Sequence, residues 1–100
     1  AEHLCIPNKE HVKQGVIASK IAAEVSDIAK QIPSTMKREY DMAVARDNFD
    51  WEKQFELAID GETARKYYES TSTSDEEMCS MCGDFCAIKM VKDHEKANKN

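Results

Sequence analysis

The sequence contains no apolar run long enough to cross a membrane, since a spanning helix needs about 20 predominantly apolar residues. It also has no excess of basic residues, because 14 lysines and arginines are outnumbered by 19 aspartates and glutamates. The resulting net charge of -5 excludes a broad basic surface of the kind that binds nucleic acid or anionic lipid. We therefore expect no nucleic acid and no membrane among the partners of this chain.

Two features of secreted proteins are missing as well. Residues 1–6 are too few and too polar to form a signal peptide. The four cysteines are not spaced to join distant loops as in a disulfide scaffold, because three are clustered and Cys5 is remote. We predict a cytoplasmic, reducing compartment, in which clustered thiols usually bind metal. Cys5 is interpreted as a small buried apolar residue.

Convincing strand patterns and internal repeats are also absent, and the apolar periodicity is helical. A long first helix is predicted from Lys9 to about Gln31, with Asn8 as its N-cap. Pro33 should end this helix, because the residue before a proline is pushed out of helical geometry. The apolar stripe of the helix is predicted to consist of Ile17, Ile21, Val25, Ile28 and Ile32.

The residues after Pro33 predict shorter helices. The second helix is capped by Ser34 or Thr35 and runs to about Arg46. Helices this short do not persist alone, so they need a shared core. The inward residues of the second helix are predicted to be Met36, Tyr40, Ala43 and Val44. The third helix is predicted to carry Trp51, Phe55 and Ile59.

The third helix and the segments after it complete the predicted architecture. Asp50 can cap the third helix, and the Asp60-Gly61 pair breaks it. Residues 63–69 predict another helical turn or two, and residues 87–94 predict a last helix. Between them lies a polar linker with a capping-box pattern from Ser74 to Glu77. The chain is thus predicted to be all-α, with one long helix, several short ones and a C-terminal cysteine loop.

The cysteine loop carries the clearest chemical signal. Cys79, Cys82 and Cys86 follow the pattern C-x2-C-x3-C, which lets one loop wrap a single metal ion or cluster. Gly83 stands where such a loop would turn tightly. No fourth cysteine is nearby, so an iron–sulfur cluster held here would keep one iron open to an external ligand. An open iron is useful for chemistry on that ligand.

Two other interpretations of the cysteines remain open at this point. A structural zinc ion takes four protein ligands, and His94 could be the fourth if the chain folds back on itself. Such a zinc site would make the chain a small interaction module. Alternatively, the three cysteines are free thiols with no metal.

Three stretches of the chain resemble the phosphomethylpyrimidine synthase family, the ThiC enzymes of thiamine biosynthesis. They occur in the family's order and read AEHLCIPNKEHVKQGVIASKIAAEVSDIAK, FDWEKQFELAIDGETARKYYE and CSMCGDFCAIK. The resemblance covers nearly the whole chain, to about Lys92. Three agreeing stretches are more specific than the cysteines alone.

The resemblance implies that the chain is the C-terminal fragment of a (β/α)8 barrel enzyme of several hundred residues. The start at Ala1 rather than at a methionine agrees with that expectation. Residues 1–32 would be the last barrel segment and long helix, 33–70 the C-terminal helices, 71–78 a linker and 79–100 the cluster-binding tail. The family enzyme is a homodimer whose tail is expected to reach the partner's active site. The fragment alone is expected to be inactive.

The resemblance also implies a radical S-adenosylmethionine lyase reaction. A 4Fe-4S cluster reduces S-adenosylmethionine bound at its open iron, and the deoxyadenosyl radical rearranges 5-aminoimidazole ribonucleotide. The products are 4-amino-5-hydroxymethyl-2-methylpyrimidine phosphate, formate and carbon monoxide. A second divalent metal, zinc or iron, is expected in the barrel.

Site residues follow from the matching motif positions. Cys79, Cys82 and Cys86 match the three cluster ligands of the family, and His3 matches one of two histidines for the second metal. Two positions depart from the family pattern. The usual spacing, C-x2-C-x4-C, is one residue longer than the spacing here, and Cys5 stands where many relatives have glycine.

Overall fold

The structure, a computed structural model, describes residues 1, 3–71 and 81–99. No strand occurs within these ranges, which confirms the prediction of an all-α chain with one long helix and several short ones. None of the helices described is long and apolar enough to cross a membrane. The elements are α1 (Lys9–Ala29), α2 (Pro33–Asp47), α3 (Trp51–Leu57), α4 (Gly61–Thr71), a 3-10 turn (Gly83–Phe85) and α5 (Ala87–Asn98).

Helix α1 begins at its predicted cap. The Asn8 side chain accepts a hydrogen bond from the His11 backbone N–H at 2.8 Å, and His11 Nδ1 accepts one from the Asn8 N–H at 3.3 Å. This reciprocal pair satisfies two backbone donors that a helix N-terminus leaves open. The helix ends at Ala29, two residues before the predicted end, because Gln31 adopts a left-handed conformation with φ of 56°. The end of α1 therefore comes before Pro33, and the left-handed Gln31 marks it.

Helix α2 corrects two predictions. Ile32 is extended as predicted, but the helix starts directly at Pro33, so Ser34 and Thr35 do not cap it. Proline suits the first helical position, where its fixed φ is already helical and no N–H is required. The predicted inward face is also wrong, because Met36, Tyr40 and Val44 are 41–69% exposed and Ala43 is exposed too. Thr35 and Ala45 are the residues that α2 buries.

Helices α3 and α4 meet at a glycine. Asp50 caps α3 as predicted, since its Oδ1 accepts from the Lys53 N–H at 3.0 Å. The helix ends at Leu57, which leaves Ile59 beyond it, and Gly61 then starts α4. A Cβ at Gly61 would lie 2.1 Å from the Phe55 carbonyl oxygen. The glycine is thus required by close approach of two backbones, and α4, at 11 residues, is longer than predicted.

The core of the described residues is thin. Packing runs from α1 to α2, from α2 to α3 and from α3 to α4. Ala45, at 4% exposed, is the buried apolar residue of this part of the chain. On α1, Ile17 and Ile28 are half-buried, whereas Ile21 and Val25 remain exposed, so the predicted stripe is only partly covered. The wide apolar faces agree with the chain being part of a larger protein.

An ion pair and a capping carboxylate predict acid sensitivity at α3 and α4. Arg65 donates to both oxygens of Glu52, at 2.8 and 2.5 Å, and this hydrogen bonding lowers the pKa of Glu52 from its usual 4.5. Asp60 Oδ1 accepts from the Thr63 N–H, and hydrogen bonds from Thr63 lower the pKa of Asp60 from its usual 3.8. Both groups bind protons more weakly when folded. Their contribution to the free energy of unfolding is therefore complete above about pH 4.5. It is lost as the pH falls through the lowered pKa values of the folded state.

We expect the thermal midpoint to fall between pH 6 and pH 3, with a smaller fall in Glu52→Gln because that variant lacks the titrating group. Circular dichroism at each pH measures this difference. Glu95→Gln is the matched control, since Glu95 is an exposed carboxylate on α5. An acid loss in Glu52→Gln equal to that of the unchanged chain would contradict the assignment.

Candidate metal centre

Two of the predicted ligands stand at the two ends of one tight turn. Cys82 precedes the 3-10 turn and Cys86 follows it, with the Phe85 N–H donating to the Cys82 carbonyl at 3.0 Å. Gly83 has a φ of 53°, a left-handed conformation that glycine adopts without a steric penalty. The prediction of a tight turn at Gly83 is confirmed. The glycine lets a loop one residue shorter than the usual spacing close on itself.

Helix α5 begins immediately after this turn. Cys86 is its N-cap residue, in an extended conformation with φ of −65° and ψ of 121°. The helix runs to Asn98, four residues beyond the predicted end, and Lys89 pairs with Asp84 at 3.2 Å across the turn. The positive end of a helix dipole favours negative charge. The fold therefore places Cys86 at the positive end of α5.

The cysteine turn and helices α2 and α3 enclose an open groove of about 600 Å³. Cys82 and Cys86 are free thiols, each half-buried, and both line this groove. The opposite wall comes from α2, α3 and the loop between them. It consists of Met42, Arg46, Phe49, Trp51 and Gln54, and Met81, Ala87 and Ile88 complete the lining.

A small set of polar contacts holds α5 against the end of α2. Lys92 Nζ lies 3.2 Å from Asp47 Oδ2 and 3.5 Å from Asn48 Oδ1. The same ammonium lies 5.9 Å from the centre of the Phe49 ring, within the range of a cation–π contact. Exposed ion pairs contribute about 0–1 kcal/mol each. Weak contacts between distant parts of the chain thus hold α5 beside the end of α2.

The Trp51 side chain belongs to the wall of the groove. Its indole N–H is buried, and no acceptor among the described residues pairs with it. The ring is held by Tyr68 of α4, at 4.7 Å between centroids, and Tyr68 also contacts Phe55 edge-on at 5.6 Å. An unsatisfied buried donor costs about 1–3 kcal/mol. The sequence placed Trp51 on the third helix, and nothing in it placed this residue beside the cysteines.

The remaining predicted site residues lie elsewhere. Cys79 is outside the described residues, as is the predicted capping box from Ser74 to Glu77. His3 is exposed in an N-terminal turn. Cys5 is exposed, not buried as predicted, because the described residues leave the apolar segment around it uncovered.

His94 does not lie where a zinc site would need it. It lies in α5, eight residues beyond the N-cap residue Cys86, which corresponds to a rise of about 12 Å. Zinc binds sulfur at about 2.3 Å and imidazole nitrogen at about 2.1 Å, so this geometry keeps His94 from joining Cys86 on one ion. Its Nε2 lies 2.8 Å from the Asn98 amide nitrogen. The zinc interpretation is not favoured.

The donor set fits an iron–sulfur cluster. Within the ranges the structure covers, no three His, Cys, Asp or Glu side chains are grouped so that they could hold a metal ion, but Cys79 is not in those ranges. Two thiols line a mainly apolar groove, and soft thiolates are the ligands that such clusters take.

Comparison with known proteins shows the family of the chain. The model of the Radical SAM ThiC family matches residues 1–93. The chain is 54% identical over 93 residues to a phosphomethylpyrimidine synthase of Methanocaldococcus jannaschii. The matched segment covers 93% of the chain and 22% of that relative. It is 51% identical over 92 residues to the same enzyme of Finegoldia magna, covering 92% of the chain and 21% of the relative. The chain thus spans about a fifth of the length of these relatives, and it belongs to the radical SAM ThiC family.

Proposed function

We propose that this chain provides the cluster-binding tail of a phosphomethylpyrimidine synthase of thiamine biosynthesis. The observation that carries the proposal is the placement of Cys82 and Cys86 at the two ends of the Gly83 turn, facing one groove. Cys79 is proposed as the third ligand. A 4Fe-4S cluster held by three thiolates leaves one iron for S-adenosylmethionine. When bound, the cluster supplies the electron that generates the deoxyadenosyl radical.

The residues of the chain itself have positioning and shielding roles. Gly83 sets the turn that brings the thiols onto one side, and Asp84 with Lys89 ties that turn to α5. The apolar wall of the groove, including Phe49 and Trp51, limits the access of water to the cluster. Among the described residues that line the groove, Arg46 is the one charged side chain, and it favours negative charge there.

The substrate and assembly belong to the whole enzyme. We propose 5-aminoimidazole ribonucleotide as its substrate, with the hydroxymethylpyrimidine phosphate, formate and carbon monoxide as products. His3 is proposed as a ligand of a second divalent metal, zinc or iron, in a barrel formed by residues other than these. A cytoplasmic homodimer in which the tail reaches the partner's active site completes the proposal. The exposed apolar faces of α1 and α2 support a larger assembly, and the chain alone is proposed to be inactive.

Anaerobic reconstitution with iron and sulfide tests the proposed cluster. We expect about four irons per chain, visible absorption and, after reduction, a low-temperature EPR signal that changes when S-adenosylmethionine is added. His94→Ala should leave iron uptake unchanged, whereas it would weaken a zinc site. Failure to take up iron, together with tight stoichiometric zinc binding, would favour the structural module instead.

A further inference from the structure

The capping box of α1 contains an imidazole. The Asn8 side chain accepts from the His11 backbone N–H at 2.8 Å, and His11 Nδ1 accepts from the Asn8 N–H at 3.3 Å. In a capping box the second acceptor is usually the side chain of a glutamate or a glutamine. Imidazole differs from both, because it changes its charge between about pH 5 and pH 8. The start of α1 is therefore closed by a hydrogen bond whose acceptor depends on pH near neutrality.

The direction of this bond assigns the tautomer of His11. A neutral imidazole has one N–H and one nitrogen with a free lone pair. Because Nδ1 accepts from the Asn8 N–H, the ring proton lies on Nε2. A second proton goes to Nδ1, which then donates and can no longer accept. Protonation of His11 thus sets two N–H donors against each other.

The position of His11 in the helix acts in the same direction. His11 is the third residue of α1, and the first turn of a helix carries partial positive charge. An imidazolium there is unfavourable, so the added charge opposes the closed box as the lost acceptor does. The other half of the box remains, because the Asn8 side chain accepts from a backbone N–H that does not titrate. Protonation should therefore loosen the first turn without unfolding the helix.

Charged groups surround this end of α1, both on the helix and on α4, which the ion pair of Lys13 and Glu62 joins to it at 3.7 Å. They are Lys9, Glu10 and Lys13 of α1 and Asp60, Glu62 and Lys66 of α4. The hydrogen bond between Lys66 and Glu62 lowers the pKa of the glutamate and raises the pKa of the lysine. Both shifts move these groups further from neutrality. Carboxyl and ammonium groups keep their charges in the range where imidazole titrates.

We propose that His11 is a pH-sensitive latch, in which protonation opens the hydrogen bond to Asn8 and loosens residues 3–8 from the start of α1. The inference goes beyond the proposed function, since Asn8 and His11 do not line the cysteine groove. The segment before α1 carries Leu4 and Ile6, whose side chains are 89% and 92% exposed. Burial of these side chains therefore adds little to the attachment of the segment. The capping box holds it, and the attachment depends on pH across the physiological range.

Variants at His11 separate the closed state from the open one, with thermal unfolding followed by circular dichroism at pH 8 and pH 5.5. The unchanged chain should lose about 2–5 °C of its thermal midpoint between these values, as expected for one capping interaction. His11→Gln keeps an acceptor that does not titrate, so it should lose this step and stay at the higher midpoint. His11→Ala lacks the acceptor at both pH values and should stay at the lower midpoint. His94→Gln is the matched control, because it removes an imidazole from α5 and should keep the step.

Nuclear magnetic resonance on the unchanged chain tests the geometry itself. The ring of His11 should carry its proton on Nε2 at pH 8, and the Asn8 amide signal should move with the same midpoint as the His11 ring signals. A ring proton on Nδ1 at pH 8, or an Asn8 amide that does not follow the ring, overturns the latch. A step in His11→Gln equal to that of the unchanged chain overturns it as well. Since the resonance measurement needs no substitution, it decides the question even if a variant does not fold.

Discussion

Alanine at either Cys82 or Cys86 should abolish iron uptake by this chain. Each cysteine stands at one end of the Gly83 turn, and both line the same groove, so neither thiolate has a substitute nearby among the described residues. Mutation of residues that only support metal ligands already costs about 10–100-fold in affinity. Loss of a ligand should cost more than that. Iron per chain and visible absorption after anaerobic reconstitution measure the loss.

Cys5→Ala is the matched control for these two variants. It also removes one thiol, but Cys5 is exposed near the start of the chain and does not line the groove. We expect it to bind iron as the unchanged chain does. A full complement of iron in Cys86→Ala, or a loss in Cys5→Ala equal to that in Cys82→Ala, would show that the groove is not the cluster site.

The second large effect concerns the junction of α3 and α4. Gly61→Ala should destabilise the chain by about 1–3 kcal/mol or more, which is the usual range for overpacking. The new Cβ would lie 2.1 Å from the Phe55 carbonyl oxygen, and that neighbour is backbone, which cannot rotate away as a side chain can. Urea and thermal unfolding followed by circular dichroism measure the change.

Gly15→Ala tests whether the effect belongs to the junction or to any glycine in a helix. Gly15 lies inside α1, and a Cβ there would meet nothing within 4 Å. Alanine is the better helix former, so this change should stabilise the chain by about 0.5–1 kcal/mol. The same Gly→Ala change is thus expected to lower the free energy of unfolding at one position and to raise it at the other. Equal effects at the two positions would contradict the close approach at Gly61.

The exposed apolar residues explain why one part of the sequence reasoning failed. The spacing of Met36, Tyr40 and Val44 does describe a face of α2, but that face has no partner in the described part of the chain. The buried face instead carries Thr35 and Ala45. Periodicity shows that a helix has an apolar side, and it does not show which surface covers that side. A polar residue such as Thr35 is buried where a neighbouring helix packs against it.

The cysteine site also combines features that the sequence predicts with features that depend on packing. The turn at Gly83 between Cys82 and Cys86 could be predicted from the sequence, because it depends on a few consecutive residues. Trp51 could not be placed there, since its position depends on how α3 packs on α2 and on where the tail returns. A sole tryptophan within a matching family stretch was the available signal, and it points equally well to a core residue.

The sequence by itself determined the local features of this protein. The caps at Asn8 and Asp50, the extended Ile32 before Pro33 and the Gly83 turn each follow from contacts within three or four residues. Only the tertiary structure decided which side chains share the groove. The link from Lys92 to Asn48 joins residues 44 apart in the chain. Local conformation depends on neighbours that the sequence names, whereas such distant contacts depend on the balance of packing over the whole fold.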